Sequence, residues 1–205
     1  MAAEIPSDLR RQVDKAISLL KKGGVVAFPT DTVYGLGAAA SVQAAIARVY
    51  ELKKRPLNMP VSLLLSNVSQ MSRVAATVTP VAVKLAEAFF PGALTLVLPR
   101  SAAVLDIVTA GGDNVAVRVP NHPVALAIIE ELGEPVLGTS ANISGRPSAL
   151  TADDVRAQFG SKLDFIVSGD CYGGVESTVV DVTGDKPVIL RQGAISAGDI
   201  MKACE

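Results

Sequence analysis

Phe28-Pro29-Thr30-Asp31-Thr32-Val33-Tyr34-Gly35-Leu36-Gly37 carries the chain out of the apolar run Val25-Val26-Ala27. A proline, which lacks an N–H and fixes φ, ends that run, and small hydroxyls and then glycines follow it. The pattern predicts a short buried strand over 25–28 and a turn that leads into a helix. Backbone N–H groups and hydroxyls left free by such a turn can meet a polar ligand, so the segment is expected to form one lip of a site.

Outward from it, helical and extended patterns intermix. Leu9, Val13, Ala16, Ile17 and Leu20 share one face of a helix over 7–22, which Gly23-Gly24 stops. Ser41 is placed as the cap of a second helix that turns Ile46, Val49 and Tyr50 inward and runs to 52, ended by Lys53-Lys54-Arg55 before Pro56. Thr79-Pro80 supplies an N-cap and a first-turn proline, and Pro91-Gly92 closes the helix they open. Asn121 is read as the cap of a helix over 123–132, and Thr151 as the cap of another with Asp153 and Asp154 in its first turn. Strands are expected over 61–65, 94–98, 115–119, 135–138, 165–167, 177–182 and 188–191. A short helix over 67–74, a polar loop over 139–150 and a terminal helix from Ser196 complete the reading. Strands flanking Gly184-Asp185 look hairpin-joined, which calls for a mixed sheet. No repeat or low-complexity linker divides the chain, so a single α/β domain over 7–205 is expected.

Composition narrows the function classes. A formal charge of -1 and 4% aromatic residues argue against an overall nucleic-acid field, although a local basic cavity fits. Residues 1–11 lack the apolar core and cleavage site of a signal peptide, and Lys84, Glu87 and Pro91 interrupt the most apolar region. Neither export nor a membrane span is expected, and a cytoplasmic setting is the default. Cys171 and Cys204, with the single histidine His122, give no disulfide framework and no metal-ligand spacing.

Common nucleotide and hydrolase motifs fail on context. No P-loop is present. Gly35-Leu36-Gly37-Ala38-Ala39-Ala40 fits the loose dinucleotide pattern, but six residues separate it from the strand and no acidic residue follows at the needed spacing. Gly138-Thr139-Ser140-Ala141-Asn142 lacks the second glycine of a nucleophile elbow, and His122, at a helix start, reads as a capping or surface residue. Chemistry driven by positioning and charge stabilisation is what the residues allow. Lys53, Arg55, Arg118 and Arg191 stand at element ends with Ser140, Asn142 and Ser177, an inventory suited to a ligand with several anionic groups. Singly, each also suits a helix end, a turn or a surface ion pair. The lysine at the helix end is expected to be exposed.

Seven ordered blocks then show a resemblance. They are Pro29 to Leu36, Lys53-Lys54-Arg55-Pro56, Pro91-Gly92-Ala93-Leu94-Thr95, Val117-Arg118-Val119-Pro120, Thr139 to Gly145, Glu176-Ser177-Thr178-Val179-Val180-Asp181 and Leu190-Arg191-Gln192-Gly193. Together they resemble the YrdC-like family of threonylcarbamoyl-AMP synthases over nearly the whole chain, and the form expected from the resemblance is the single-domain one, as opposed to longer members with an extra C-terminal domain. The resemblance implies a twisted mixed β-sheet with flanking helices around a large basic cavity. It implies an enzyme that makes threonylcarbamoyl-adenylate and pyrophosphate from L-threonine, bicarbonate and ATP, with Mg2+ carried by ATP. The product would feed N6-threonylcarbamoyl modification of adenosine 37 in tRNA through a downstream threonylcarbamoyl-transfer complex, with at most weak direct contact to tRNA. By motif position, Thr32, Arg118 and Ser177 would hold threonine. Lys53, Arg55, Ser140, Asn142, Ser148 and Arg191 would line the ATP side, Lys53 and Arg55 being the catalytic cations nearest the phosphates. Met59 stands where many relatives have a polar residue, so a nucleotide contact there would fall to the backbone or to Asn58. Two other readings fit the same inventory: an RNA-binding module using the basic cavity, and a carbamoyl-transfer domain of the hydrogenase-maturation type.

Overall fold

The computed structural model describes residues 5–205; the first four residues of the stretch read above for a signal peptide lie outside the described part. Among the described residues, eight α-helices and nine strands follow in the order α1 (Ser7–Lys21), β1 (Val26–Phe28), β2 (Gly35–Ala39), α2 (Gln43–Lys53), β3 (Ser62–Leu64), α3 (Met71–Val74), α4 (Pro80–Phe89), β4 (Leu94–Pro99), α5 (Asp106–Thr109), β5 (Asn114–Arg118), α6 (Pro123–Leu132), β6 (Val136–Ser140), α7 (Ala152–Phe159), β7 (Phe165–Ile166), β8 (Thr178–Asp181), β9 (Val188–Arg191) and α8 (Ala197–Cys204), with a single 3-10 turn over Val68–Gln70 leading into α3. All nine strands join one sheet in the order β7-β1-β2-β6-β3-β5-β4-β8-β9. The sheet is mixed: β1/β7, β3/β5 and β4/β8 run parallel, and the other neighbours antiparallel. None of the described helices is long and apolar enough to cross a membrane.

The expected strand-to-helix turn is a strand-to-strand turn. After Phe28 the chain reverses through residues 29–34 and returns as β2, antiparallel to β1 with Phe28 opposite Gly35 and Val26 opposite Gly37. The glycines serve packing: a Cβ on Gly37 would lie 2.7 Å from the Phe28 ring and 2.8 Å from Val136. A ring laid across a strand needs bare backbone beneath it, so Gly35-Leu36-Gly37 is sheet interior and not a phosphate loop. The helix that follows begins at Gln43, capped at Val42 without a side-chain bond, so Ser41 is not its cap. Likewise α6 is capped by His122, whose side chain accepts from the Val124 N–H at 3.2 Å, and not by Asn121. The caps read at Thr79 and Thr151 are present, the latter as a reciprocal capping box with Asp154.

The period of two along each strand divides the sheet's faces. Leu36, Leu63, Leu96, Val117, Leu137 and Val180 point into the larger core, which α2 and α4 help to enclose through Ile46, Val49, Tyr50, Ala82 and Leu85. On the opposite face, Val26, Phe28, Ala39, Leu64 and Val136 pack under α1 and α6. That cover reaches only one end of the sheet. Alternate residues of the remaining strands line a cavity instead.

Candidate active site

The uncovered sheet face forms the floor of a cavity of about 330 Å³. Ser62 and Leu64 of β3, Thr95 and Val97 of β4, Ala116 and Arg118 of β5, and Gly138 and Ser140 of β6 line it at two-residue intervals. Thr30 and residues 32–34 of the turn, with Arg55, Glu176, Ser177 and Arg191, complete the wall. A Cβ on Gly138 would lie 2.4 Å from Leu64 Cγ, so glycine there lets β6 lie close against the Leu64 side chain.

One side of the cavity is built on Arg118. Arg118 is 7% exposed, and its guanidinium spends three donors on protein: Nε to the Gly92 carbonyl at 2.9 Å, Nη1 to Thr32 Oγ1 at 2.9 Å, Nη2 to Asp31 Oδ1 at 2.6 Å. Burial pushes its pKa below the ordinary arginine value, and Asp31 opposes that shift. Thr30 Oγ1 donates to the Val33 carbonyl at 2.7 Å and accepts from the Thr32 N–H at 3.1 Å, which fixes the turn that presents Thr32. Beside it, Ser177 Oγ lies 2.8 Å from Thr95 Oγ1, and Arg191 Nη2 donates to the Ser177 carbonyl at 2.8 Å.

The other side is more cationic. Arg55 donates from Nε to the Met59 carbonyl at 3.2 Å and from Nη2 to the Pro60 carbonyl at 2.7 Å. Burial, and in addition the charge of Arg191, hold the Arg55 pKa below its usual value. Two like charges approach here, which favours an anionic ligand between them. The Tyr50 hydroxyl also donates to the Met59 carbonyl at 2.9 Å, so the backbone oxygen at the Met59 departure is already engaged by protein. Glu176 is the single carboxylate on the wall among the described residues. Ser148 Oγ donates to it at 2.5 Å, and this bond holds its pKa below the usual carboxylate range.

A strap over 167–177 closes one flank. It joins β7 and β8, which stand seven strand positions apart, a span of roughly 33 Å at ~4.8 Å per strand. Its twelve steps reach about 43 Å at most, enough to cross the sheet end with bends at Gly169 and Gly174, whose φ angles are positive. The strap touches the turn where Gly174 N–H donates to the Thr32 carbonyl at 2.7 Å, and Tyr172 stacks on His122 with ring centroids 4.8 Å apart.

A family model described as telomere recombination, Sua5/YciO/YrdC, matches residues 18–193. The chain belongs to the Sua5/YciO/YrdC family. Threonylcarbamoyl-AMP synthase of Pyrococcus abyssi is 43% identical over 188 residues, covering 91% of this chain and 55% of that protein. The Bacillus subtilis protein of the same name is 44% identical over 191 residues, covering 92% and 55%. The crystal structure of P. abyssi Sua5 complexed with L-threonine superposes with a TM-score of 0.90 at 42% identity, over 93% of this chain and 56% of that one. The chain thus spans about half the length of these relatives.

Within this Sua5/YciO/YrdC fold the residues singled out from sequence divide into two groups. Thr32, Arg55, Arg118, Ser140, Ser177 and Arg191 stand on the cavity wall. Lys53, Asn142 and Ser148 stand behind it, and Asn142 Oδ1 accepts from Ser140 Oγ at 2.6 Å. Lys53 is not exposed, as its place at a helix end suggested, but 2% accessible, because its side chain turns inward under the loop after β6. Sequence reading passed over Asp31, Thr95 and Glu176 as site-forming groups. Asp31 lies between Thr30 and Thr32 and Glu176 directly precedes Ser177-Thr178, both within the motif blocks, which was the available signal.

Proposed function

We propose that this domain is an L-threonylcarbamoyladenylate synthase, a nucleotidyltransferase acting on L-threonine, bicarbonate and ATP in the cytoplasm. The observation that carries the reading is the convergence of Thr32, Arg118 and Ser177 with Arg55, Ser140 and Arg191 on one cavity wall. Its support is the family membership and the names of the relatives.

In this reading the threonine carboxylate meets Arg118. Three of the five guanidinium N–H groups hold the protein, which orients the remaining edge for bidentate recognition. Thr32 Oγ1 and Ser177 Oγ take the substrate's polar groups. The amine attacks bicarbonate, giving a carbamate with loss of water. A carbamate oxygen then attacks the α-phosphorus, and the bond to pyrophosphate breaks as the new P–O bond forms. Arg55 and Arg191 neutralise charge building on the leaving pyrophosphate, and Ser140 orients a phosphate oxygen. Enclosure keeps the labile carbamate beside the phosphate, an effective-concentration gain.

Mg2+ fits as a passenger of the triphosphate. Among the described residues no group of three or more His, Cys, Asp or Glu gathers to hold a metal, whereas Mg2+ is commonly bound through phosphate oxygens and water. Bound there, it withdraws charge from the phosphate oxygens. The adenylate would pass to a downstream threonylcarbamoyl-transfer complex for tRNA modification.

Purified protein incubated with ATP, threonine, bicarbonate and Mg2+ is expected to release pyrophosphate and form the adenylate, both detected by mass spectrometry. Pyrophosphate release that ignores threonine and bicarbonate would overturn the reading. RNA bound more tightly than ATP, with steep salt dependence, would favour an RNA-binding role instead.

A further inference from the structure

Lys53 is the last residue of α2, and its ammonium points away from solvent into the loop that follows β6. Nζ lies 2.5 Å from the Ser140 carbonyl, 2.8 Å from the Asn142 carbonyl and 3.1 Å from Asn142 Oδ1. An ammonium carries three N–H donors, and three protein oxygens surround this one. No donor is left for a phosphate. The contact is reciprocal, because the Ser144 N–H donates to the Lys53 carbonyl at 2.8 Å.

The clamp has directed consequences on both sides. On the α2 side, Lys54 takes a left-handed conformation with φ 51°, which ends the helix and swings Arg55 onto the cavity wall. On the loop side, Asn142 Oδ1 receives both the Lys53 ammonium and the Ser140 hydroxyl, and Asn142 Nδ2 donates to the Arg146 carbonyl at 2.6 Å. From the far flank, Gln158 of α7 accepts from the Ile143 N–H at 2.9 Å and donates to the Pro147 carbonyl at 2.9 Å. The loop is thus held between two helices, and the wall residues Arg55 and Ser140 are tied together through Lys53. Burial, with Arg55 next, pushes the Lys53 pKa down to about 7; the three oxygens favour its charged form.

We propose that Lys53 is a positioning residue that does not touch the nucleotide: it clamps residues 140–144 to the end of α2 and so fixes the spacing of Arg55 and Ser140 across the triphosphate site. The proposal rests on the synthase reading for the identity of the ligand, and on the geometry alone for the clamp. It differs from a direct phosphate contact in what the other residues do when Lys53 is removed. An apolar chain at 53 would release the loop, so its effect on ATP would be exerted through Asn142 and Ser140.

Amide hydrogen exchange on the substrate-free protein tests the clamp without any nucleotide. Lys53→Met is expected to raise exchange at least tenfold across residues 140–146 and leave β4 and β8 unchanged. Equal protection in the two proteins would overturn the clamp. Calorimetric titration with Mg-ATP then compares Lys53→Met, Asn142→Ala and the double variant. If both act through one loop, the double variant loses little more affinity than the worse single one, whereas losses that multiply would overturn the proposal. Should Lys53→Met fail to fold, lysine-labelled wild type decides. The Lys53 Nζ protons are expected to be protected without ATP and to stay on their carbonyl acceptors with it, and transfer of a hydrogen bond to a phosphate would overturn the assignment. Wild type that binds no ATP would sink the synthase reading; the nucleotide-free exchange result separates that outcome from failure of the clamp.

Discussion

Arg118 and Asp31 meet at 2.6 Å between Nη2 and Oδ1, with side chains only 9% and 11% exposed, and the same Asp31 oxygen accepts from the Asn121 N–H at 3.0 Å. The pair joins the 29–34 turn to the end of β5. Removing the carboxylate strands a buried guanidinium, the costly way to break a buried pair. Asp31→Ala is expected to lose roughly 3–5 kcal/mol in urea denaturation. An unchanged midpoint would mean that the guanidinium is compensated elsewhere.

Arg118→Ala is expected to weaken threonine binding by about 1.5–3 kcal/mol, the range of a charge-assisted hydrogen bond. ATP affinity should change far less, since Arg55 and Ser140 stand on the other flank. Calorimetry with each ligand separately checks the asymmetry. Threonine bound at wild-type strength would remove Arg118 from the site.

Gly193 lets the chain after β9 cross the Glu176–Ser177 peptide. A Cβ there would lie 2.4 Å from the Glu176 carbonyl oxygen and 2.4 Å from the Ser177 carbonyl carbon, both backbone atoms that no rotamer change can move. Gly193→Ala is expected to cost about 1–3 kcal/mol by overpacking and to weaken threonine binding by displacing Ser177. Retained Tm and affinity together would show that the crossing can open without loss.

Acidification should weaken the fold through His122. Its Nδ1 accepts from the Val124 N–H and its Nε2 faces the Asp170 carbonyl at 3.2 Å, so the neutral ring is the form that fits. Burial lowers its pKa below the unfolded value of 6.5, with the Asp170 carbonyl and Asp31 opposing the shift. From about 6.5 down to that lowered value, the unfolded chain binds more protons. Stability therefore falls as pH falls through this window and levels off below it. The urea midpoint is expected to drop from pH 7.5 to pH 5, and to drop less in His122→Asn, where the amide keeps a cap but does not titrate. Equal drops in the two proteins would assign the effect to carboxylates.

Local signals carried much of this fold. Thr79-Pro80, Thr151 with Asp154, and Ser196 open their helices because a hydroxyl satisfies N–H groups a few residues away. Alternation along residues 94–98 and 115–119 set the strands, and the turn at 184–185 set the β8/β9 hairpin. The four-residue α5 carried no comparable signal. For the site, motif blocks named the residues of the cavity wall, but not Asp31, Thr95 or Glu176 as partners within it.

The sequence by itself determined the caps at Thr79, Thr151 and Ser196, most of the strands and the cationic and hydroxyl residues of the wall, because those depend on contacts within a turn or on alternation along a strand. Only the tertiary structure decided that Phe28 to Gly37 is a return between strands. Gly35 pairs with Ser140 and Ala39 with Val136, partners far away in the chain, and the Phe28 ring needs Gly37 beneath it. It also decided that Lys53 faces inward, since the oxygens that receive its ammonium are brought to the end of α2 by the strand pairing of β6. A residue's local pattern sets what it can form, and burial against distant partners sets which of those forms is lowest in free energy.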